Sequence, residues 1–324
     1  MRAVVHERYG PPEVLRIADV AKPTPKEGEV LVRVHATTVT RGDTELRTLE
    51  YGFLRPFMGI RRPRRRVAGT EFAGRVEEVG AAVEEFHAGD DVFGVKAGAN
   101  AEYVTVRASG AITRMPERLS YEEAAAVPEG SLLALTMLRP LEPLRGKSVV
   151  VYGAAGSIGS GAVQLLVHHF GAEVTAVCDA KDVELVRSLG AHAVLDRFEN
   201  DFTTNRDTYD VVFDAVGKHA FRRARRALKP GGVYVTSGSG DQFFAAVFAS
   251  LATRVVGNKR AKLGIGRYRK QDLVFVRELV DAGTYRPVVD RIYTLDEAVE
   301  ANRYVETGGK SGNVVLRVTQ RSGS

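Results

Sequence analysis

The stretch VVVYGAAGSIGSGAVQLLVHHFGAEVTAVC, residues 149–178, decides how this chain folds. It opens on a continuous apolar run and crosses a turn in which Gly153, Gly156 and Gly159 are spaced G-x-x-G-x-x-G. It then continues as a helix-like segment closed by Gly171 and ends in a second apolar run. Glycine permits the tight turn and lets the backbone approach a pyrophosphate closely, while the following helix offers unpaired N–H groups and the positive end of its dipole. Strand, glycine turn and helix in that order predict a dinucleotide-binding unit.

The pattern continues outward in both directions. Downstream, KDVELVRSLGA reads as a short helix ending at Gly190, HAVLD as a third strand and YDVVFDAVG as a fourth. A helix bearing Arg222, Arg223, Arg225 and Arg226 follows, with Phe221, Ala224 and Leu228 on its inner face, and then the strand GGVYVTSG. Apolar strands alternating with helices imply a parallel sheet covered on both faces, the doubly wound α/β arrangement. Upstream, residues 1–118 hold short β-branched runs punctuated by Gly and Pro, such as GEVLVRVHATTV and AEYVTVR, which read as β-rich and barrel-like. Ser120 with Glu123, and Thr294 with Glu297, have capping-box spacing and predict helix starts. The last strand, GNVVLRV, can pair in either region.

With 324 residues and 44% hydrophobic content, the chain accommodates about two ordinary domains with full cores. Its single cysteine, Cys178, excludes a disulfide framework and a thiolate zinc cluster within one chain, and reads as a small apolar residue ending a strand. The net charge of +6 is mostly interleaved with acidic residues, and no aromatic platforms accompany the arginines. Nucleic-acid binding is therefore not expected. The run Arg61–Arg66, broken by Pro63, reads as a solvated loop. The start has no signal-peptide core, and FFAAVFASLA, residues 243–252, is about half the length a bilayer span needs, so no membrane partner is expected. The chain reads as soluble and cytoplasmic, with that apolar stretch buried at a cleft or across a subunit contact.

The adenosine 2′ group is read at the end of the second strand, where an acidic side chain suits a 2′-hydroxyl and a basic one a 2′-phosphate. Here VCDAKD places Asp179 and Lys181 within reach of it, a mixed signal.

The segments GEVLVRVHATTVTRGDTELR, GTEFAGRVEEVG, AEYVTV, YGAAGSIGSGAVQL, VELVRSLGA, DVVFDAVG and GKSGNVVL, in that order, make the chain resemble the medium-chain dehydrogenase/reductase superfamily, in its zinc-independent quinone oxidoreductase and enone or alkenal reductase branch. The resemblance runs nearly end to end. It implies a GroES-like β-barrel domain over residues 1–118 and 287–324, a Rossmann domain over 119–286, and a nicotinamide in the cleft between them. Zinc-dependent relatives carry a histidine where this chain has Thr70, next to a retained Glu71, so the resemblance implies no metal. The implied reaction is hydride transfer from NADPH, with NADH as the alternative, to a quinone or an α,β-unsaturated carbonyl. Such an acceptor spreads the incoming charge onto oxygen, so a hydrogen-bond donor can replace a Lewis acid.

Residue by residue, the stretch TTVTRGDT is implied to line the cleft, with Thr40 standing where an asparagine is common. Asp43 matches an acidic residue that either holds the loop or takes part in the chemistry, and Tyr51 follows as a second possible donor or as pocket lining. Gly153, Ala155, Gly156, Ser157, Ile158 and Gly159 match the pyrophosphate turn, and Asp214, Val216 and Gly217 match the end of the fourth strand. Ser237 and Gly238 match the nicotinamide ribose region, Lys259 a basic residue near the cofactor, and Asn313 the C-terminal segment that closes over it. Leu133 departs from a threonine expected near the nicotinamide. The superfamily also implies a homodimer. Two rival readings stand beside this one: a catalytically weak NADPH-binding partner protein, and an NAD(P)-dependent alcohol dehydrogenase.

Overall fold

The computed structural model describes residues 1–49, 52, 55–237, 242–253 and 257–318. The strands, in chain order, are β1 (Arg2–His6), β2 (Leu15–Asp19), β3 (Glu29–Val39), β4 (Glu71–Val79), β5 (Asp91–Val95), β6 (Tyr103–Arg107), β7 (Ile112–Arg114), β8 (Ser148–Tyr152), β9 (Glu173–Cys178), β10 (Ala193–Asp196), β11 (Tyr209–Asp214), β12 (Leu228–Thr236), β13 (Arg260–Leu263), β14 (Val289–Thr294) and β15 (Asn313–Arg317). The α-helices are α1 (Arg41–Thr48), α2 (Arg55–Met58), α3 (Tyr121–Ala125), α4 (Pro128–Leu138), α5 (Ser157–Gln164), α6 (Val183–Ser188), α7 (Phe221–Ala224), α8 (Gln242–Ala252), α9 (Lys270–Asp281) and α10 (Ala298–Glu306). The chain divides into two compact units, one of residues 1–128, 268–281 and 286–324, the other of 129–267 and 282–285.

The first unit is built on a seven-stranded sheet of order β14-β15-β3-β4-β5-β7, with β6 also pairing to β3. Val30, Val32 and Val34 alternate along β3, so they share one face and meet Phe72, Val76, Val92 and Ile112 in a solvent-free core. The terminal strand β15 settles here, antiparallel to β3 and parallel to β14. Helix α9 also groups with this unit rather than with the parallel sheet, against the expected boundaries. Its first residue, Lys270, donates to Ala108 O at 2.6 Å and pairs with Glu85. The expected capping boxes form at Ser120 with Glu123 and at Thr294 with Glu297.

The second unit carries a six-stranded, all-parallel sheet of order β10-β9-β8-β11-β12-β13. Val149, Val150 and Val151 of β8 are fully buried, as a central strand covered on both faces requires. The chain moves outward from β8 through β9 and β10, then returns to the other side of β8 at β11. The order therefore reverses between β8 and β11, and a crevice opens at such a switch point beyond the carboxyl ends of the strands.

One expectation is corrected. The arginine-bearing helix is a single turn, α7. Thr208 and Tyr209 both donate to Ala227 O, which turns the chain into β12, so Leu228 lies in a strand rather than on a helix face. Arg222, Arg223, Arg225 and Arg226 are nonetheless exposed. The apolar helix α8, expected at a cleft or across a subunit contact, is not buried within the chain itself. Ala249 packs on the core, which leaves Phe244, Phe248 and Leu251 outward at 58, 69 and 54% exposure. Among the described residues no helix is long and apolar enough to cross a membrane.

Candidate functional site

The carboxyl ends of β8, β9, β10, β11 and β12 form one edge of the parallel sheet, and most of the residues expected at the cofactor lie along it. Gly153 turns the chain at φ +74°, and the amides of Gly153 and Ala154 both donate to Val177 O at 3.0 Å, tying the turn to the next strand. Gly156 is the N-cap of α5 and contributes no side-chain cap, so Ser157, Ile158 and Gly159 form a helical first turn whose amides have no carbonyl four residues back in the helix. The three glycines differ in their local surroundings. A Cβ on Gly159 would sit 2.0 Å from Gly153 O and 2.8 Å from Ala154 Cα, and one on Gly153 would sit 2.2 Å from Val216 Cγ2. At Gly156 a Cβ would meet only Gly153 O, at 3.4 Å, leaving room above the helix end. That cradle fits a pyrophosphate.

Asp214 ends β11 beside this turn and is completely buried. Its carboxylate accepts from the amides of Val216 (3.1 Å), Gly217 (2.8 Å) and His219 (2.9 Å) and from the Tyr234 hydroxyl (3.0 Å). The Tyr234 hydroxyl also lies against His219 O, and the three amides already bond both carboxylate oxygens, so Asp214 shapes the loop that carries Val216 over Gly153. Burial and the Asp214 charge push the Tyr234 hydroxyl well above its ordinary range, so it remains a donor. His219, packed edge-on against Tyr152 and Phe202, is pushed below its ordinary value by burial, with Asp214 opposing.

The 2′ corner holds a residue that reading along the sequence missed. Asp179 follows β9 and Arg197 follows β10, whose ends are in register at Cys178 and Asp196. Arg197 N donates to Cys178 O at 2.9 Å, and its guanidinium forks onto Asp179, with Nε on Oδ1 and Nη2 on Oδ2 at 3.1 Å. Lys181 lies exposed on the adjoining single turn. The available signal was positional: the first residue after the third strand meets the first residue after the second. Cys178 beneath them is buried, and desolvation together with the neighbouring Asp182, Asp179 and Asp196 pushes its thiol up to about 11.

In the first unit, Thr40 and Asp43 form a capping box on α1. Thr40 Oγ1 accepts from Asp43 N at 3.1 Å and donates to Asp43 Oδ2 at 3.0 Å, while Asp43 Oδ2 also accepts from Thr40 N at 2.9 Å. Thr70 Oγ1 donates to Asp43 Oδ1 at 3.1 Å. The single hydroxyl hydrogen of Thr40 is therefore committed to Asp43. Behind them Glu71, buried, accepts from Thr38 Oγ1 at 2.7 Å, and Thr37 Oγ1 bonds Glu71 O and Asn100 Oδ1.

The remaining expected positions separate. Ser237 stands at the carboxyl edge, its amide directed to Asp214 O at 3.4 Å. Lys259 stands at the opposite edge: it precedes β13, a parallel strand whose carboxyl end, Leu263, pairs with Thr236. Its ammonium is held by Asp207 at 2.7 Å and Arg225 O at 3.0 Å. Lys259 is thus a structural anchor, because strand direction carries it away from the glycine turn. Asn313 lies in the first unit, where its side-chain amide donates to Val288 O at 3.0 Å. Tyr51 and Gly238 lie outside the described residues.

Comparison with known proteins agrees with both units. Residues 26–133 match the family described as alcohol dehydrogenase GroES-like domain, and residues 189–316 match that described as zinc-binding dehydrogenase. The chain is 31% identical to 2-methylene-furan-3-one reductase of Solanum lycopersicum, over 98% of this chain and 79% of that protein. The chain belongs to the medium-chain dehydrogenase/reductase superfamily, in its quinone oxidoreductase and enone reductase branch. Another relative is the chloroplastic NADPH-dependent alkenal/one oxidoreductase of Arabidopsis thaliana, 30% identical over 98% of this chain and 79% of that protein. Among solved structures, the quinone oxidoreductase from Coxiella burnetii superposes with a TM-score of 0.86 at 28% identity, covering 98% of this chain and 99% of that one. The expected α/β class, a GroES-like domain with a Rossmann sheet, is therefore established.

Proposed function

We propose that this chain is an NADPH-dependent reductase of quinones or α,β-unsaturated carbonyls that works without a metal ion. The observation that carries the reading is the glycine turn at the β8/β11 switch point, where Gly159 admits no side chain and a Cβ on Gly156 would meet only Gly153 O, at 3.4 Å. The names of the relatives fit the same chemistry. Bound NADPH supplies a hydride from C4 of its nicotinamide. The chain's own residues hold and orient: Gly153 to Gly159 receive the pyrophosphate, and the Asp214 loop sets Val216 against the turn.

Metal chemistry does not suit the donor set. Thr70 occupies the position of a zinc-binding histidine and is already bonded to Asp43, and among the described residues no three His, Cys, Asp or Glu side chains converge. A conjugated acceptor needs no Lewis acid, since its developing charge is delocalised onto an oxygen that a hydrogen-bond donor can hold. One observation favours the rival reading of a cofactor-binding protein with little turnover: the Thr40 proton goes to Asp43 rather than to open space.

A homodimer and a cytoplasmic site of action belong to the same proposal. The dimer is supported by β13 standing last in its sheet and by the outward Phe244, Phe248 and Leu251 of α8 beside it. Light scattering that gives a monomer at micromolar concentration overturns it. For the activity, anaerobic oxidation of NADPH and of NADH is followed with an α,β-unsaturated ketone and with a quinone. A saturated ketone identified by mass, or a hydroquinone, supports the reading. Tight nucleotide binding without turnover of either acceptor moves the conclusion to the binding protein.

A further inference from the structure

We infer that the Asp179–Arg197 fork is a displaceable latch: Arg197, rather than Lys181, reads the 2′-phosphate, and Asp179 is its built-in competitor. The inference deepens the proposed NADPH-dependent reading and rests on it. Arg197 is placed by the backbone, because its amide bonds Cys178 O, one residue before Asp179, and the two strand ends are in register. Its guanidinium lies 4.5 Å over the ring of Phe198, and that ring is 75% exposed. Phe198 is itself held in the turn by its amide, which donates to Asp196 Oδ1 at 2.9 Å. The corner therefore presents a planar cation backed by an aromatic face at the ends of the strands that follow the glycine turn.

The pair has the properties of a latch rather than of a structural bridge. Its side chains retain 33 and 28% exposure, so both charged groups still reach solvent and a second anion can approach the guanidinium from outside. A phosphate monoester brings nearly twice the charge of a carboxylate and accepts the same two parallel N–H bonds, so it can replace Asp179 on the fork. With a 2′-hydroxyl nothing needs replacing: Asp179 keeps Arg197 and accepts from the ribose with its remaining lone pairs. Asp179 thus favours NADH directly. It opposes NADPH in two ways, by occupying Arg197 and by repelling the phosphate, while Arg197 favours NADPH. The two side chains together set a narrow preference between the cofactors.

The test is direct binding to the whole chain, measured by titration calorimetry with adenosine 2′,5′-bisphosphate and adenosine 5′-monophosphate, and then with NADPH and NADH. Losing the two charge-assisted bonds in Arg197→Ala is expected to weaken the 2′-phosphorylated ligands about 10- to 100-fold and leave the others within about threefold. Asp179→Asn is expected to do the opposite, tightening the 2′-phosphorylated ligands and weakening NADH. The dependence of NADPH affinity on salt should flatten in Arg197→Ala. A Lys181→Ala protein that loses the 2′-phosphate discrimination while Arg197→Ala keeps it overturns the inference, as does an Arg197→Ala protein that loses all ligands equally. Failure of the unmodified protein to bind any of the four ligands counts instead against the proposed reductase itself.

Discussion

Replacing Thr40 separates the two roles assigned to it. In the structure its hydroxyl accepts the Asp43 amide at 3.1 Å and donates to the Asp43 carboxylate, closing a capping box at the start of α1. Thr40→Ala removes both bonds but spares the reciprocal one from Thr40 N to Asp43, at 2.9 Å, and the one from Thr70 to Asp43. Loss of an N-cap side chain costs about 1 kcal/mol. In a domain of this size that lowers the melting temperature by roughly 2–4 °C. Thr40→Ser, which keeps the oxygen, should restore most of it. Steady-state kinetics with an α,β-unsaturated ketone should show kcat within about threefold of the unmodified protein, because the hydroxyl hydrogen was never available to the acceptor. Removing a true oxyanion donor costs about 10²–10³ in kcat. A fall of that size in Thr40→Ala, with thermal stability unchanged and rescue by serine, refutes the capping argument and restores Thr40 as the donor.

Three further outcomes follow from the geometry. Gly159→Ala puts a Cβ 2.0 Å from Gly153 O, so the turn must open, and nucleotide fluorescence titration should find binding lost while circular dichroism still reports a folded protein. Lys259→Ala should leave the Kd for NADPH unchanged and lower thermal stability slightly, since Lys259 bonds Asp207 and Arg225 O at the far edge of the sheet. A large rise in Kd would place it at the cofactor after all. His219 is held below its ordinary value of 6.5 by burial, so the unfolded chain takes up its proton first as pH falls. Stability contributed by the neutral ring is complete above 6.5 and declines below it, by at most about 1.4 kcal/mol per pH unit. Denaturant titrations should show a shallower acid decline in His219→Phe. An unaltered slope refutes the assignment. His6 and His35 are lowered for the same reason and account for part of what remains.

How much of this was legible in the sequence depends on the range of the interaction involved. The glycine spacing, the continuous apolar run at Val149–Val151 and the capping pairs at Ser120/Glu123 and Thr294/Glu297 are local patterns, and each forms where its residues predict. Helix α7 failed because Phe221, Ala224 and Leu228 satisfy a helical spacing that the chain abandons at Ala227, where β12 must begin. The outward face of α8 is likewise set by more than local pattern. Hydrophobicity gives the tendency to be covered, but only the packing of Ala249 decides which side of the helix the chain itself covers.

The site residues divide along the same line, with consequences for carrying roles from relatives to a new chain. Position in a motif brings Asp214 to the carboxyl edge of β11, yet the amides of Val216, Gly217 and His219 already bond both its oxygens. Lys259 keeps a plausible charge and loses the role to strand direction. Arg197, without a motif, gains one because β9 and β10 run parallel and end in register, so residues 18 apart in sequence share an ion pair. A motif fixes where a backbone goes; which side chains act there depends on hydrogen bonds that neighbouring strands have already claimed. At the Thr40, Asp43 and Thr70 cluster the Asp43 carboxylate already accepts from Thr40 N, Thr40 Oγ1 and Thr70 Oγ1, so both threonine hydroxyl hydrogens are bonded within the cluster rather than turned toward a substrate.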